Sequence, residues 1–126
     1  MSKTALLFAG QGAQTVGMGQ DLAKAHPRLQ AIFERANAVL GYNLATICFQ
    51  GPEAELTKTE HAQPGIFLAS WVAFQALRER MPSLQFHATA GLSLGEFTAL
   101  AAAEAFSFEA GLKLVRQRGC FMQQAC

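Results

Sequence analysis

One serine lies between two glycines where a short β-forming segment gives way to an Ala-rich run. The stretch is GLSLG, residues 91–95, preceded by QFHATA and followed by EFTALAAAEAF. The upstream segment favours a strand, and the downstream run favours a helix because Ala, Leu and Glu have high helix propensity. This is the GxSxG pattern of a nucleophile elbow, in which Ser93 would occupy a strained turn and the Leu94 N–H would face an oxyanion. The alternative is an ordinary glycine turn whose serine caps the helix, and the motif alone does not separate the two.

The remaining segments predict an α/β unit. TALLFA, residues 4–9, is a continuous apolar run, which predicts a strand buried on both faces as in a parallel sheet covered by helices. Helical spacing of apolar residues begins at Pro27 and ends before Gly41. Pro64 is expected to open an almost wholly apolar, buried helix, and Ser107 to cap the last helix. The order strand, helices, strand, helix, helix indicates parallel strands.

The predicted sheet is incomplete, because two strands make a poor sheet and the last residues form an apolar helix. We therefore expect residues 1–126 to be the N-terminal part of an α/β core, which is an incomplete domain. Its uncovered apolar surface favours self-association or a complementary chain.

Charge and cysteine content exclude several classes of protein. Ten basic and nine acidic residues leave the net charge near zero, and no basic stripe offers a nucleic-acid footprint. Three cysteines without a CxxC pair support neither a disulfide framework nor a zinc site, so no metal is expected. The apolar stretch near the N-terminus has only six residues, too few for a signal peptide or a membrane span. A cytoplasmic protein without a membrane partner is the default expectation.

The glycine-rich loop GQGAQTVGMG, residues 10–19, follows the first predicted strand. It contains no lysine, which excludes a phosphate-binding P-loop, and Thr15 interrupts the GxGxxG pattern of a dinucleotide site. A third interpretation is a tight loop at the carboxyl end of a buried strand, where open α/β sheets bind their ligands. If the two strands are parallel, the backbone N–H groups of Gln11 and Leu94 converge on one oxygen, as an oxyanion hole requires.

Four blocks of the sequence resemble, in the same order, the landmarks of the malonyl-CoA:acyl carrier protein transacylase family. They are FAGQGAQTVGMG, HAQPGIFLAS, GLSLGEFTALAA and LVRQRGCFMQQA. The resemblance implies an acyltransferase of fatty acid biosynthesis that moves malonyl from coenzyme A to the phosphopantetheine thiol of acyl carrier protein through a seryl ester. It also implies an α/β-hydrolase-like core, present here without the family's ferredoxin-like subdomain, and no cofactor besides the two substrates.

The same resemblance implies roles for five residues. The nucleophile falls on Ser93, the oxyanion donors on the N–H groups of Gln11 and Leu94, the carboxylate-binding arginine on Arg118, and a site-lining glutamine on Gln63.

The residues themselves favour Arg118 over Arg116 as a substrate-binding arginine. At helical spacing Arg118 is flanked by four apolar residues, namely Leu114, Val115, Phe121 and Met122. A guanidinium in an apolar stripe needs a partner, and a bidentate carboxylate suits it best. The alternative is that Arg118 extends to solvent or pairs with a structural carboxylate.

Two features depart from the family's pattern. Leu92 stands where many bacterial members have histidine, which bears on acyl-group preference or on packing. The family's catalytic histidine has no counterpart in this sequence. His87 lies six residues before Ser93 on the same predicted strand, about 20 Å away if the strand is extended, while His26 and His61 are expected at the surface before helices.

Without a base at Ser93, the chain alone is expected to be inactive. Two other functions stay open. A serine esterase or thioesterase would use the same elbow, although Arg118 favours a substrate with a free carboxylate. A catalytically incomplete fragment would act only by associating with its missing half. Malonyl and methylmalonyl are not distinguished by these residues.

Overall fold

A computed structural model of the chain describes residues 2–126. The described part contains two strands and seven helices, in the order β1 Ala5–Phe8, α1 Gln20–Ala25, α2 Pro27–Leu40, α3 Leu44–Gln50, α4 Glu53–Thr57, α5 Thr59–Arg80, β2 Ala88–Gly91, α6 Leu94–Ala102 and α7 Phe108–Ala125. None of these helices combines the length and the apolar character needed to cross a bilayer.

The strands β1 and β2 pair in parallel, as the sequence predicts. Ala5 lies opposite Ala88 and Phe8 opposite Gly91, and five helices separate the strands along the chain. Parallel strands end at the same edge of a sheet, so the loop after β1 and the turn after β2 are neighbours. This shared edge carries the candidate site.

The expectation that β1 is buried on both faces is wrong. Leu6 and Phe8 are half-buried, and the Phe8 ring meets Phe74 of α5 edge-on at 6.1 Å between centroids. Leu7 occupies the other face and is 79% exposed. A parallel strand is buried on both faces only where helices cover both sides of the sheet. No helix in residues 2–126 covers the side that carries Leu7.

Pro64 does not open its helix, contrary to the sequence prediction. α5 begins at Thr59, and Pro64 lies inside it. Proline has no N–H to donate, so the Glu60 carbonyl lacks its usual helical partner at this point. Residues 62–68 are all buried, and this packing against the core outweighs the local cost of the proline. The helix from Pro27 is confirmed.

The core lies around α5, which packs against α2, α3, α6 and α7. Ring stacking holds α5 to α7, with the Phe108 ring 5.9 Å from Phe67 and 5.6 Å from Trp71. Ser107 caps α7 as predicted, its hydroxyl accepting from the Ala110 N–H at 3.1 Å. The pairing of α5 with α7 brings the last turns of α7 alongside the first turns of α5, next to the sheet edge.

Candidate active site

Ser93 stands in a strained turn between β2 and α6. Its φ of 56° and ψ of −113° are rare for a residue other than glycine, and such a conformation costs on the order of 1–3 kcal/mol. The side chain makes no capping hydrogen bond to α6, so the alternative of a simple helix-capping serine is wrong. The exposed hydroxyl is instead presented at the edge of the sheet.

Two glycines allow this turn to pack tightly. A β-carbon at Gly91 would collide with the backbone of Gly95, and one at Gly95 would collide with the carbonyl oxygen of Phe8. The first turn of α6 is therefore pressed against both strands. The glycines of the GxSxG motif serve close backbone approach, as the elbow interpretation requires.

Replacing Gly95 with alanine is expected to destabilise the fold by about 1–3 kcal/mol, because the added methyl meets the backbone of β1 rather than a flexible side chain. The gain in helix propensity of about 1 kcal/mol offsets only part of this cost. Denaturant unfolding of the variant measures the change. Leu100→Ala, at an exposed position of the same helix, is the control and should shift the free energy much less. An unchanged midpoint for Gly95→Ala would contradict the close packing.

The loop after β1 lies directly against the elbow. A β-carbon at Gly10 would come within 2.5 Å of the Leu92 carbonyl oxygen. Within this loop the Gly12 N–H donates to Gln14 Oε1 at 2.7 Å, whereas the backbone N–H of Gln11 donates to no acceptor within residues 2–126. The Leu94 N–H opens α6 and has no acceptor within its helix. Both predicted oxyanion donors thus lie at the sheet edge, and their catalytic role stays a prediction.

Leu92, the residue before the serine, is 83% exposed. This exposure argues against a packing role within residues 2–126, and a role in acyl-group preference stays a prediction.

Arg118 extends from α7 to the serine. Its Nη2 donates to Ser93 Oγ at 3.1 Å, and its Nη1 donates to Gln63 Oε1 at 2.8 Å. The guanidinium carbon lies 5.4 Å from the centre of the Phe97 ring. None of the ion pairs among residues 2–126 includes Arg118. A half-buried cation without a carboxylate partner in the described chain therefore contacts the candidate nucleophile.

Arg116 is occupied elsewhere. It forms an ion pair with Glu60 at 3.2 Å, contacts the Cys120 thiol, and lies 5.1 Å from the Tyr42 ring centre. Burial raises the pKa of Tyr42 to about 12, although the positive charge of Arg116 acts in the opposite direction. The preference for Arg118 over Arg116 at the site thus agrees with the contacts of both side chains.

The apolar surroundings predicted for Arg118 are only partly present. Val115 is fully buried, but the other three flanking residues face solvent to a large extent, with exposures of 47%, 60% and 37% for Leu114, Phe121 and Met122. The guanidinium is held by polar groups and an aromatic face rather than by an apolar stripe.

Gln63 is fully buried and connects the two sides of the site. Its Oε1 accepts from Arg118, while its Nε2 donates to Gln11 Oε1 at 3.2 Å and contacts Met122 Sδ at 3.0 Å. Gln11 Nε2 in turn donates to Thr59 Oγ1 at 3.2 Å. The structure therefore links Ser93, Arg118, Gln63 and Gln11 by hydrogen bonds, with Leu94 next to Ser93 in the chain.

Sequence reasoning missed Thr59 and Phe97 at this site. Thr59 carries no motif that points to Gln11. Phe97 had a signal, because a residue four positions after Ser93 lies on the same side of the helix one turn on.

None of the histidines hydrogen-bonds to Ser93 in the described chain. His87 is anchored at the opposite end of the sheet, where its N–H donates to the Thr4 carbonyl at 2.8 Å and its Nδ1 accepts from the Thr4 N–H at 3.0 Å. His26 caps α2 by accepting from a backbone N–H at 3.1 Å. The placement expected for His61 is wrong, since it lies inside α5, half-buried, with Nδ1 at 3.0 Å from the Glu55 carbonyl oxygen.

This arrangement supplies charge and hydrogen-bond donors around Ser93 Oγ. A guanidinium offers five N–H donors and no acceptor, so Arg118 cannot accept the serine proton. The described site can orient and stabilise an anionic acyl group, and it does not place a general base at the hydroxyl.

Comparisons of sequence match this chain to a known family. Residues 5–126 match the family described as acyl transferase domain. A Drosophila melanogaster protein named probable malonyl-CoA-acyl carrier protein transacylase, mitochondrial, is 47% identical over 96% of this chain and 32% of its own length. The malonyl CoA-acyl carrier protein transacylase of Haemophilus influenzae is 44% identical over 99% of this chain and 40% of its own length. The chain therefore spans about two fifths or less of these relatives.

Solved structures share the fold over the same portion. The malonyl CoA-acyl carrier protein transacylase of Clostridium perfringens is 42% identical, with a TM-score of 0.91 over 99% of this chain and 39% of that chain. A chain from a complex described as a type II PKS acyl-carrier protein with its malonyl-transacylase is 41% identical, with a TM-score of 0.92 over 99% of this chain and 40% of that chain. The resemblance of the four sequence blocks is confirmed, and the chain belongs to the acyl transferase domain family.

Proposed function

We propose that this chain forms the N-terminal part of the α/β core of a malonyl-CoA:acyl carrier protein transacylase of fatty acid biosynthesis. The observation that carries the proposal is the hydrogen bond from Arg118 Nη2 to Ser93 Oγ, 3.1 Å long, made by a cation without a carboxylate partner in residues 2–126. A cation within reach of the nucleophile selects an acyl group that carries a free carboxylate. Malonyl is such a group, and acetyl is not.

In the proposed reaction Ser93 Oγ attacks the thioester carbonyl of malonyl-CoA. The new oxygen–carbon bond forms as the carbon–sulfur bond breaks, and the serine proton passes through a general base to the departing thiolate of coenzyme A. The backbone N–H groups of Gln11 and Leu94 stabilise the oxyanion. The phosphopantetheine thiol of acyl carrier protein then attacks the seryl ester and restores the hydroxyl.

Within this scheme Arg118 exchanges partners. Substrate carboxylate takes up the N–H groups of the guanidinium, which frees Ser93 Oγ for attack. Gln63 keeps its own bond to Nη1, and because Gln63 is fully buried, it holds the arginine while the other partner changes. The relatives named as malonyl transacylases and the solved complex with an acyl-carrier protein support the substrate and the partner.

The proposal predicts malonyl transfer to acyl carrier protein by the full-length gene product. Mass spectrometry of acyl carrier protein after incubation with malonyl-CoA measures it, and free malonate in the same mixture measures hydrolysis. If free malonate forms at the same rate with and without acyl carrier protein, the site belongs to an esterase or thioesterase instead.

Residues 1–126 alone are expected to transfer malonyl at least about a thousandfold more slowly than a site with a base, because no described histidine contacts Ser93. Rapid turnover by this segment would show that a histidine does reach the hydroxyl.

A cytoplasmic location is part of the proposal. Cell fractionation tests it, since some relatives are named as mitochondrial.

A further inference from the structure

The Arg118 guanidinium is held on three sides. Gln63 Oε1 and Ser93 Oγ accept from its two terminal nitrogens, at 2.8 and 3.1 Å. The third contact is the Phe97 ring, whose centre lies 5.4 Å from the guanidinium carbon. Arginine stacks well on aromatic rings because its planar cation is weakly hydrated and is attracted to the ring face.

The Phe97 ring is itself fixed. Phe97 is partly buried and packs against the core of the protein. Phe97 belongs to α6 and lies four residues after Ser93, which directly precedes the helix, so the nucleophile and the ring under the arginine are close in the chain. Arg118 comes from a different helix, α7, on a long side chain that Gln63 holds at one terminal nitrogen. Contact with the ring therefore helps to set where the Arg118 guanidinium lies relative to Ser93.

Two of the five N–H donors of Arg118 are used by Gln63 and Ser93. The guanidinium carbon lies over the face of the Phe97 ring, and the ring offers no oxygen or nitrogen acceptor to these donors. The ring thus restrains the arginine without competing with a carboxylate for hydrogen bonds. A restrained side chain loses less freedom when it binds, which favours binding of the ligand that it recognises.

We propose that Phe97 is a positioning residue that sets acyl selectivity by holding the Arg118 guanidinium for the substrate carboxylate. The proposal rests on the proposed function. It places selectivity in a ring contact outside the hydrogen-bonded site, and it predicts that loss of the ring weakens recognition of malonyl more than recognition of acetyl.

Phe97→Leu keeps an apolar side chain and removes the ring. In the full-length gene product it should raise KM for malonyl-CoA by about threefold to tenfold, with a smaller change in kcat, and change acetyl transfer by less than about twofold. Phe97→Tyr keeps the ring and should restore the malonyl KM. Phe49→Leu is the matched control, because Phe49 is a partly buried ring that packs on Phe33 at 4.8 Å, whereas Arg118 lies on Phe97. Equal changes for malonyl and acetyl transfer, or no change in either, would overturn the proposal.

A second measurement, on the full-length gene product without coenzyme A or acyl carrier protein, separates this inference from the proposed function. The Arg118 side-chain N–H resonances are followed by nuclear magnetic resonance during titration with sodium malonate and with sodium acetate. Malonate should shift them at lower concentration than acetate, and Phe97→Leu should weaken the malonate response by a similar threefold to tenfold. If the protein does not transfer malonyl but Arg118 still shows this Phe97-dependent response, the proposed function is refuted and the positioning role of Phe97 is supported. If Phe97→Leu leaves the malonate response unchanged, the positioning role of Phe97 is refuted, whether or not the protein transfers malonyl.

Discussion

Ser93→Ala is expected to abolish malonyl transfer and to remove a covalent acyl label from the protein. The full-length gene product, incubated with malonyl-CoA and quenched in acid, should carry malonyl on the peptide that contains Ser93. The strained turn presents this hydroxyl to solvent without a helix-capping bond, and the Arg118 guanidinium lies beside it. Loss of the nucleophile leaves only binding and oxyanion stabilisation, so the rate should fall by at least about a thousandfold.

Ser107→Ala provides the matched control for this experiment. Ser107 caps α7 through a 3.1 Å hydrogen bond, so its loss should lower stability by about 1 kcal/mol while the label on Ser93 persists. Mass spectrometry of the digested protein distinguishes the sites. A malonyl label on another residue, or an undiminished label in Ser93→Ala, would refute the covalent mechanism.

Arg118→Ala should reduce kcat/KM for malonyl transfer by about 30-fold to 1000-fold and acetyl transfer by only a few-fold. The range corresponds to the loss of a buried charge-assisted pair, worth about 2–4 kcal/mol. Only malonyl offers a carboxylate to the guanidinium, so the two substrates should respond differently. The variant also leaves Gln63 Oε1 buried without its donor, which should lower stability by about 1–3 kcal/mol.

Stability and selectivity can be separated with two further variants. Arg118→Lys keeps the charge but not the planar fork, and it should recover little of the malonyl activity. Arg116→Ala removes an arginine that is paired with Glu60, and it should affect both acyl groups alike. If Arg118→Ala lowers malonyl and acetyl transfer equally, the arginine is structural and the proposed substrate loses its main support.

Much of the fold followed from local patterns in the sequence. The helix from Pro27, the cap at Ser107 and the turn at Ser93 each depend on residues close together in the chain, and the structure contains all three. The prediction that Pro64 opens a helix is wrong, because it rests on a local preference of proline for helix starts. The position of Pro64 inside α5 depends instead on burial against the core. Burial of Leu7 failed as a prediction for the same reason, since it depends on what covers the sheet.

The candidate site shows the same division. Arg118 was preferred from its spacing on a helix, and the structure places it against Ser93 and Gln63. The ring of Phe97 and the hydroxyl of Thr59 were not anticipated, because their contacts join α6 to α7 and α5 to the loop after β1. Contacts between distant segments leave no periodic trace in a sequence. The half-buried position of His61 likewise depends on packing, because Tyr42 from an earlier segment and the Glu55 carbonyl lie against its ring.

The packing of Gly95 on β1 has a consequence for redesign of the candidate site. The close backbone approach to Phe8 fixes the start of α6 to the sheet. The helix carries the Leu94 N–H and the Phe97 ring, and Ser93 directly precedes it. Substitutions that shift α6 would therefore change reactivity and acyl choice together. α7 is attached mainly to α5, through its stacked rings, and contributes Arg118 and Met122. Libraries directed at the final turns of α7 should broaden the range of accepted acyl groups while leaving the nucleophile in place.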